Sequence, residues 1–460
     1  GPQRSDVEWM RDVGGTLYFG GDADARGDEL WKSDGTAAGT SFVADINPGD
    51  RDSNPQPFTP FGARLAFSAS GDRTGTEFVV SDYTTPGTTL LDVAPGENQG
   101  LGPQDLAVVG DRIFFEGYLS GFGQEPWTSD GTALGTSMLV DLNPGSGSSG
   151  IDRAVSAGST VYFAGRDADG TELWATDGTA PGTRRVKDIE PGAGSSGPRD
   201  FAVTAGFTVF VANTTAQGDE PWVTDGTEMG TKLLGDINTS GGSDPAWVTA
   251  VGAKVFFTAN DGVARKLWVT DGTPGGTTAI SDAIGVDEVV ALGDRLLFAA
   301  DDGVNGTELW TSDGTLVGTT MLKDLWADPD ESSSPSSLTR AGDLVFFTAD
   351  DGVNGRELWK TDGTAPGTVR VTDLVAGSGG WSMSEPCGTE SGRLAFFRYD
   401  GSVYTLWMSD GTELGTLDAE VAFGEGPFRY NTGYTRCIGD AVLLAADDGS
   451  TGMEPWVLYP

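Results

Sequence analysis

The sequence of 460 residues contains no histidine. Histidine is the commonest general acid or base near neutral pH, and it activates the serine or cysteine of many nucleophilic enzymes. It is also a frequent ligand of zinc. An enzyme with this sequence would therefore have to work with carboxylates, tyrosine or lysine, and every histidine-based metal site is excluded.

Basic residues and long apolar runs are also scarce. The chain has 28 lysines and arginines against 68 aspartates and glutamates, which gives a formal net charge of −40. A surface of this sign repels nucleic acid and anionic membranes, so we expect neither as a partner. No apolar run approaches the roughly 18 residues of a membrane-spanning helix, so we expect no membrane insertion. The acids are spread along the whole chain, as on a folded surface.

What the chain has in abundance is one repeated stretch. ELWKSDGTAAGT at 29–40 returns as ELWATDGTAPGT at 172–183 and as ELWKTDGTAPGT at 357–368. Successive copies start 42 to 49 residues apart, and the period covers the chain from end to end, so we expect residues 1–460 to form a single repeat domain. The nine copies and a truncated tenth begin at Glu29, Glu77, Glu125, Glu172, Glu220, Lys266, Glu308, Glu357, Thr405 and Glu454.

Each period contains four short strand-like segments, labelled A to D in chain order. In the eighth copy these are SSLTRAG, DLVFFTA, RELWKTD and VRVTDL, separated by Gly, Asn, Asp and Pro. Four antiparallel strands in a short tandem repeat are typical of a β-propeller blade. The sequence predicts an all-β protein with one propeller of ten four-stranded blades, the last of which has only three strands. An open spiral of blades and a propeller of nine blades are the alternatives.

The chain has only two cysteines, Cys387 and Cys437, which lie in the strand A segments of the ninth and tenth copies. Equivalent strands of neighbouring blades lie side by side near the propeller axis. We therefore predict a disulfide that joins the three-stranded last blade to the blade before it. Two free buried thiols are the alternative.

Copies such as ELWKSDGTAAGT and ELWTSDGTLVGT carry a recognisable family motif. The sequence resembles the bacterial secreted proteins named for their ELWxxDGT repeat over essentially all 460 residues, although the second copy has Val79 for Trp and Tyr83 for Gly. The resemblance implies an extracellular or cell-surface protein, but no activity. The opening Gly1-Pro2 is typical of a protease-cleavage scar, so we expect that a signal peptide has been removed.

Two positions of the repeat are filled in almost every copy. Nine of the 13 tryptophans share one position on strand C, which predicts packing between facing blades; a ring of sugar-stacking tryptophans is the alternative. The Asp of DGT precedes a Gly-Thr pair, which predicts a turn whose carboxylate accepts backbone N–H groups. Both positions are therefore interpreted as structural.

The turn between strands B and C is the more promising acidic site. It reads DADGTE at 167–172, DDGVNGTE at 301–308, DDGVNGRE at 350–357 and DDGSTGME at 447–454. Oxygen ligands on a tight glycine-rich loop suit Ca²⁺, whereas an Asx-stabilised turn whose Glu bonds to the backbone is the alternative. The candidate metal ligands are Asp167, Asp169, Asp301, Asp302, Asn305, Glu308, Asp350, Asp351, Asn354, Glu357, Asp447 and Asp448.

Strand polarity in an up-and-down blade brings the B–C turns and the D–A connections to the same face. Long loops on a rigid scaffold are where binding usually occurs. We therefore expect a secreted or cell-surface binding or scaffolding protein, monomeric and stabilised by calcium, whose partner is an extracellular protein or a glycan.

A carboxylate-based glycan lyase or hydrolase in the central channel is the alternative function. No copy shows an unmatched cluster of acid, base and cation that would support it. A unique site is expected where the repeat is irregular: in the second copy, at the short step from the sixth to the seventh copy, or in the last two copies with Trp381, Tyr430, Tyr434 and Arg436.

Overall fold

The computed structural model describes residues 8–22, 26–34, 36, 38–72, 74–93, 100–281, 284–328, 331–399, 404–422, 436–447 and 453–458. The secondary structure over these ranges consists of 39 β-strands and one short 3₁₀ turn, Pro274–Gly276. None of the helical structure found there is long and apolar enough to cross a membrane.

The strands form ten antiparallel sheets in chain order, with strands A and B adjacent at one side of each sheet. Strand A of the successive sheets is Glu8–Val13, Gln56–Phe61, Gln104–Val109, Asp152–Ala157, Arg199–Val203, Ala246–Val251, Ile284–Leu292, Ser336–Ala341, Met383–Gly388 and Arg436–Ile438. Strand B is Thr16–Asp22, Arg64–Gly71, Arg112–Leu119, Thr160–Asp167, Thr208–Thr214, Lys254–Asn260, Arg295–Asp301, Leu344–Asp350, Leu394–Tyr399 and Ala441–Asp447.

Strands C and D complete each sheet on the other side, and strand D is the shortest. Strand C is Asp28–Ser33, Gly75–Ser81, Gly123–Ser129, Gly170–Thr176, Gly218–Thr224, Arg265–Thr270, Thr307–Ser312, Arg356–Thr361, Tyr404–Ser409 and Met453–Leu458. Strand D is Ser41–Ala44, Thr89–Leu91, Ser137–Met138, Arg184–Lys187, Lys232–Leu233, Thr278–Ala279, Thr320–Lys323, Val369–Arg370 and Thr416–Ala422. The tenth sheet has three strands over the ranges that the structure describes.

The chain divides into two compact units, one comprising residues 3–248 and 272–274 and the other residues 249–271 and 275–460. In the first unit, strand A of each of the first four sheets contacts strand A of the next sheet. In the second unit the same contact runs from the seventh sheet to the tenth. Adjacent inner strands in successive four-stranded sheets are the defining feature of propeller blades. The predicted all-β fold of ten propeller blades, the last with three strands over the described ranges, is confirmed, and the count of nine blades is excluded.

Successive sheets enclose apolar clusters that contain the repeated tryptophan. Trp127 packs with Phe78 and Phe115 between the second and third sheets. The ring centroids of Phe115 and Trp127 lie 6.4 Å apart, and the indole N–H donates to the carbonyl of Gly117 at 3.1 Å. Burying a large ring while its one donor is satisfied is the favourable use of tryptophan in a core. The prediction of blade packing is confirmed at this position.

The DGT segment forms the turn that its sequence predicts. The Asp130 Oδ1 atom accepts bonds from the Thr132 N–H at 2.9 Å and from its hydroxyl at 2.7 Å, and the Thr132 hydroxyl accepts the Gly135 N–H. These bonds lower the pKa of Asp130, with the Thr132 hydroxyl as the main cause. A Cβ on Gly135 would lie 2.1 Å from the Asp130 carboxylate, so the second glycine of DGTxxG is required.

Cys387 and Cys437 form a disulfide in the structure, which is the pairing expected from the sequence. Both residues pack beside a small apolar cluster that contains Phe397, Leu406 and Val442. The cross-link spans 50 residues of sequence and joins strand A of the ninth sheet to strand A of the tenth. It therefore ties the three-stranded sheet to its neighbour.

Candidate functional site

The glutamate that begins the repeated twelve-residue stretch is buried and bonded to a loop of its own repeat. Glu172 is 0% exposed, and its carboxylate accepts the N–H groups of Ile189 at 2.9 Å and Ser196 at 3.1 Å and the Ser196 hydroxyl at 2.6 Å. Ile189 and Ser196 belong to the connection from strand D to the next strand A. The carboxylate thus ties the B–C end of strand C to the D–A connection, as strand polarity predicts.

The serine partner recurs at an almost constant distance from the glutamate. Three further glutamates use a serine 23 to 25 residues downstream, in each case within the D–A connection. We call each such pair a glutamate–serine lock. The locks are Glu29–Ser53, Glu172–Ser196, Glu220–Ser243 and Glu308–Ser333. These pairs were not predicted from the sequence, although the recurring serine at this spacing was the available signal. In the third copy the equivalent Ser149 hydroxyl donates to the Gln124 carbonyl instead, and Glu125 accepts the Leu142 N–H.

Two other copies keep the glutamate but have a different residue at the serine position. In the eighth copy Trp381 takes the serine position, and its indole N–H donates to Glu357 at 3.0 Å. In the second copy the position is Leu101, whose N–H donates to Glu77 at 3.4 Å. Glu77 Oε1 is buried without a hydrogen-bond partner among the described residues. Burial is the main cause that raises the pKa of Glu77 to about 8.

The predicted calcium ligands of the seventh and eighth copies divide between two kinds of contact. Glu308 and Glu357 are held by the D–A connections, whereas the Asp and Asn residues close the B–C turn. Asp302 Oδ1 accepts the N–H groups of Val304 and Asn305, and its Oδ2 accepts the Asn305 amide at 2.7 Å. Asp301 bonds to its own turn, and Asp350, Asp351 and Asn354 repeat the pattern.

The remaining predicted ligands lie in the fourth and tenth copies. Asp167 Oδ1 accepts the Asp169 N–H at 2.8 Å, and the Arg185 guanidinium lies 3.3 Å from Asp167 and 3.1 Å from Asp169. Asp447 ends a strand, but its side chain and all of Asp448 lie outside the described residues. Within the ranges that the structure describes, no group of three or more Asp, Glu or Cys could hold a metal ion. Calcium binding stays a prediction.

A position on strand A combines a distorted backbone with chemistry that changes from sheet to sheet. In six sheets a register shift in strand A marks a β-bulge, and the bulge residue follows the last residue paired before a shift. The bulge residues have φ between 47° and 59°, which is unusual for residues other than glycine. Trp247 in the sixth sheet has the same backbone conformation. Bulges redirect side chains and are frequent beside active sites. This bulge row is Asp105, Arg153, Asp200 and Trp247 in the first unit and Glu288, Ser337 and Glu385 in the second.

Arg153 and Asp200 of the bulge row belong to a charged network. Arg153 Nη1 lies 3.3 Å from Asp200 Oδ1 on the next sheet, and Arg199 Nη2 lies 2.8 Å from Asp219. Arg153 is half exposed, and Trp247 is 49% exposed. The network therefore presents acidic, basic and aromatic groups along one set of inner strands.

Glu116 adds a buried carboxyl to this network. It is 4% exposed and occupies a strand B position where most copies have a small residue, and its Oε1 accepts the Ile151 N–H at 2.9 Å. Burial is the main cause that raises the pKa of Glu116 to about 7, and the charges of Asp105 and Asp152 raise it further. Burial and the Asp152 charge also raise the pKa of Asp105. These carboxyls lie in the third and fourth sheets, outside the irregular copies in which a unique site was expected.

Comparisons with known proteins leave the family open. No family model matches the sequence, and no curated protein matches it. Solved structures that resemble it include the computationally designed Ika8 protein, with 15% identity, 76% of this chain and 95% of that chain covered, and a TM-score of 0.39. A puromycin hydrolase has 13% identity, with 75% of this chain and 58% of that chain covered and a TM-score of 0.35. The GH74 enzyme of Niastella koreensis has 12% identity, with 97% of this chain and 77% of that chain covered and a TM-score of 0.33. Scores this low carry no argument about function.

Replacement by glutamine should have opposite effects at Glu172, which is in a lock, and at Glu77, which has no serine partner. Glu172→Gln should lower the free energy of unfolding by about 1–3 kcal/mol, because an amide cannot accept all the donors around Glu172. Glu77→Gln should be near neutral at pH 5 and should stabilise the protein at pH 9. Thermal melts of both variants beside the unsubstituted protein at these two pH values test the difference.

The pH dependence at Glu77 follows from the direction of its pKa shift. The folded state binds more protons than the unfolded state between the ordinary pKa of 4.5 and about 8, so Glu77 costs stability as pH rises through that window. The advantage of Glu77→Gln should therefore grow with pH. A difference in melting temperature that is the same at pH 5 and pH 9 would contradict this explanation.

The stabilising effect of bound calcium can be distinguished from ionic screening and from the loss of negative charge. Millimolar calcium should raise the melting temperature more than sodium chloride at matched ionic strength, and magnesium should do less. Asp302→Asn with Asp351→Asn should remove the specific part of the shift. Asp343→Asn with Asp111→Asn, in A–B turns, removes the same charge and serves as the control. If sodium reproduces the whole shift, the B–C loops are ordinary turns.

Proposed function

We propose that this protein is a secreted or cell-surface binding module that recognises a glycan or a protein through its bulge row. The observation that carries the proposal is the change of side-chain chemistry at one backbone position that is otherwise constant. Asp105, Arg153, Asp200 and Trp247 are successive examples in the first unit. A scaffold that repeats its geometry and varies its side chains is suited to recognition.

The regular residues support this proposal because the fold already uses them. The lock glutamate bonds to its loop, the strand C tryptophan packs between sheets, and the DGT aspartate closes its own turn. None of these groups needs a ligand to explain its presence. Binding chemistry is therefore expected at positions that escape the repeat, and the bulge row is such a position.

The chemistry of the bulge row favours a ligand rich in hydrogen-bonding groups. Asp200 and Arg153 supply acceptors and donors across neighbouring sheets, and Trp247 supplies a partly exposed aromatic ring. A glycan presents hydroxyl groups and apolar ring faces, which such a surface can contact together. The resemblance to the ELWxxDGT proteins and the charge of −40 support a soluble extracellular setting.

Binding can be tested on a glycan array with and without calcium. The protein is expected to bind a restricted set of glycans, and Arg153→Ala or Trp247→Ala should weaken that binding at least tenfold without lowering the melting temperature. Met229→Ala alters a residue that is 87% exposed in a DGT turn and serves as the control. Binding that survives both bulge substitutions would place recognition elsewhere, and an empty array would reject the glycan ligand.

A second function is favoured by one observation, the burial of the Glu116 carboxyl near Asp105 and Asp152, which raises its pKa. A carboxyl that holds its proton near pH 7 beside two other carboxyls can act as a general acid towards a glycosidic oxygen. Aryl glycosides of several sugars test this enzyme proposal directly. Hydrolysis that is lost in Glu116→Gln and retained in Glu228→Gln, which alters an exposed residue of a DGT turn, would support it. Hydrolysis unaffected by Glu116→Gln, or absent throughout the panel, would reject it.

A further inference from the structure

The ninth copy breaks the repeat at two positions that face each other across strands B and C. In the other nine sheets, the strand B residue that pairs with the first residue of the repeated twelve-residue stretch is glycine or alanine. In the ninth sheet the pair is Arg398 and Thr405. An arginine therefore stands where every other copy has the smallest side chains.

Packing against the strand C tryptophan explains why this strand B residue is small in the other copies. A Cβ on Gly117 or Gly165 would lie 2.9 Å from the tryptophan of the same sheet. In the ninth sheet the Arg398 guanidinium lies 5.4 Å from the ring centroid of Trp407, and the Trp407 indole N–H donates to the Thr405 hydroxyl at 2.8 Å. The sheet thus replaces the lock glutamate by threonine and accommodates a cation beside the tryptophan.

Arg398 lines a cavity of about 580 Å³ within the second unit. Arg356 from the eighth sheet, Trp381 and Ser382 from the connection between the two sheets, and Tyr399 also line it. The size lies within the range of roughly 300–1,000 Å³ that is usual for small-molecule sites. Trp381 is held by its bond to Glu357 and by stacking on Phe396 at 5.3 Å, so this wall is fixed.

The two arginines retain capacity for a ligand. Arg398 Nε is buried and has no hydrogen-bond partner among the described residues. Arg356 uses Nη1 to donate to the Ser336 hydroxyl at 2.9 Å and to Thr348, which orients its guanidinium. The carboxylate whose charge acts on Arg356 is Asp350, its partner across strands B and C, and neither arginine belongs to the ion pairs found over the described ranges. In a chain with 68 acids and 28 bases, two such arginines at one cavity are the exception.

From this arrangement we propose that the cavity between the eighth and ninth sheets binds a small carboxylate-bearing sugar. The Arg356 and Arg398 guanidiniums pair with its carboxylate, because their planar donor groups match a carboxylate in geometry. The Ser382 hydroxyl and the partly exposed Tyr399 contact the sugar hydroxyls and ring. The cavity is much larger than a sulfate or phosphate ion, so an inorganic anion would leave most of it unfilled.

This site differs from the bulge row in position and charge, and it does not depend on the function proposed for that row. The negative charge of the whole protein also restricts the ligand. Repulsion grows with the charge of the incoming molecule, so a sugar with one carboxylate is favoured over a polyanion.

The proposal is tested by titrating the protein with galacturonate, glucuronate and N-acetylneuraminate, with galactose and glucose as neutral counterparts and sodium sulfate as the inorganic anion. Isothermal calorimetry should show binding of at least one sugar acid and weaker or undetectable binding of the neutral sugars and of sulfate. Arg398→Ala should weaken binding about tenfold to a hundredfold, which is the loss expected for a charge-assisted hydrogen bond.

Arg398→Ala introduces the small side chain that other copies carry, so the variant should fold with an unchanged or higher melting temperature. Arg340→Ala removes an exposed arginine from the eighth sheet and controls for the change in net charge. Sulfate that binds as tightly as the best sugar acid would overturn the sugar ligand. No binding of any sugar acid, or binding that is equal in Arg398→Ala and Arg340→Ala, would overturn the site.

Discussion

The buried glutamate of the repeat is the constraint on which the rest of the sheet geometry depends. Removing a carboxylate from water is costly unless donors replace the water, and the D–A connection supplies them through backbone N–H groups and a serine hydroxyl. Glu308, for example, accepts bonds from Leu325 and from both the N–H and the hydroxyl of Ser333. Each lock fixes where one sheet ends relative to the start of the next strand A, which explains why glutamate and serine both recur with the period.

The sequence predicted the features whose causes are local. Strand number, strand order and the DGT turn depend on alternation and on turn residues that lie next to one another, and the cysteine pairing follows from the order of the strands. The lock was not predicted because Ser196 lies 24 residues beyond Glu172, inside a Gly/Ser-rich loop where one serine resembles another. The bulge row was hidden for a different reason: nothing in the identity of Asp105 or Arg153 signals a positive φ.

The calcium hypothesis shows that residue type alone does not distinguish a metal site from a turn. Oxygen-rich loops can coordinate a cation or accept N–H groups, and the same Asp and Asn residues serve for either purpose. In the structure Asp302 accepts three bonds within its own turn, and Arg185 places a positive charge between Asp167 and Asp169. Sequence identifies the ligand atoms, but only their orientation decides what they bind.

In a repeat protein, equivalent positions of the different copies can be compared with one another. Where equivalent positions keep one residue type, a packing or hydrogen-bonding need of the blade accounts for it, as for the glycine or alanine opposite the lock glutamate. Where one copy departs from that need, the blade must accommodate the change. Glu116 places a carboxyl in a buried site, and Arg398 places a cation against Trp407. Both substitutions cost packing that the other copies keep, which is the reason to seek their explanation in binding or chemistry.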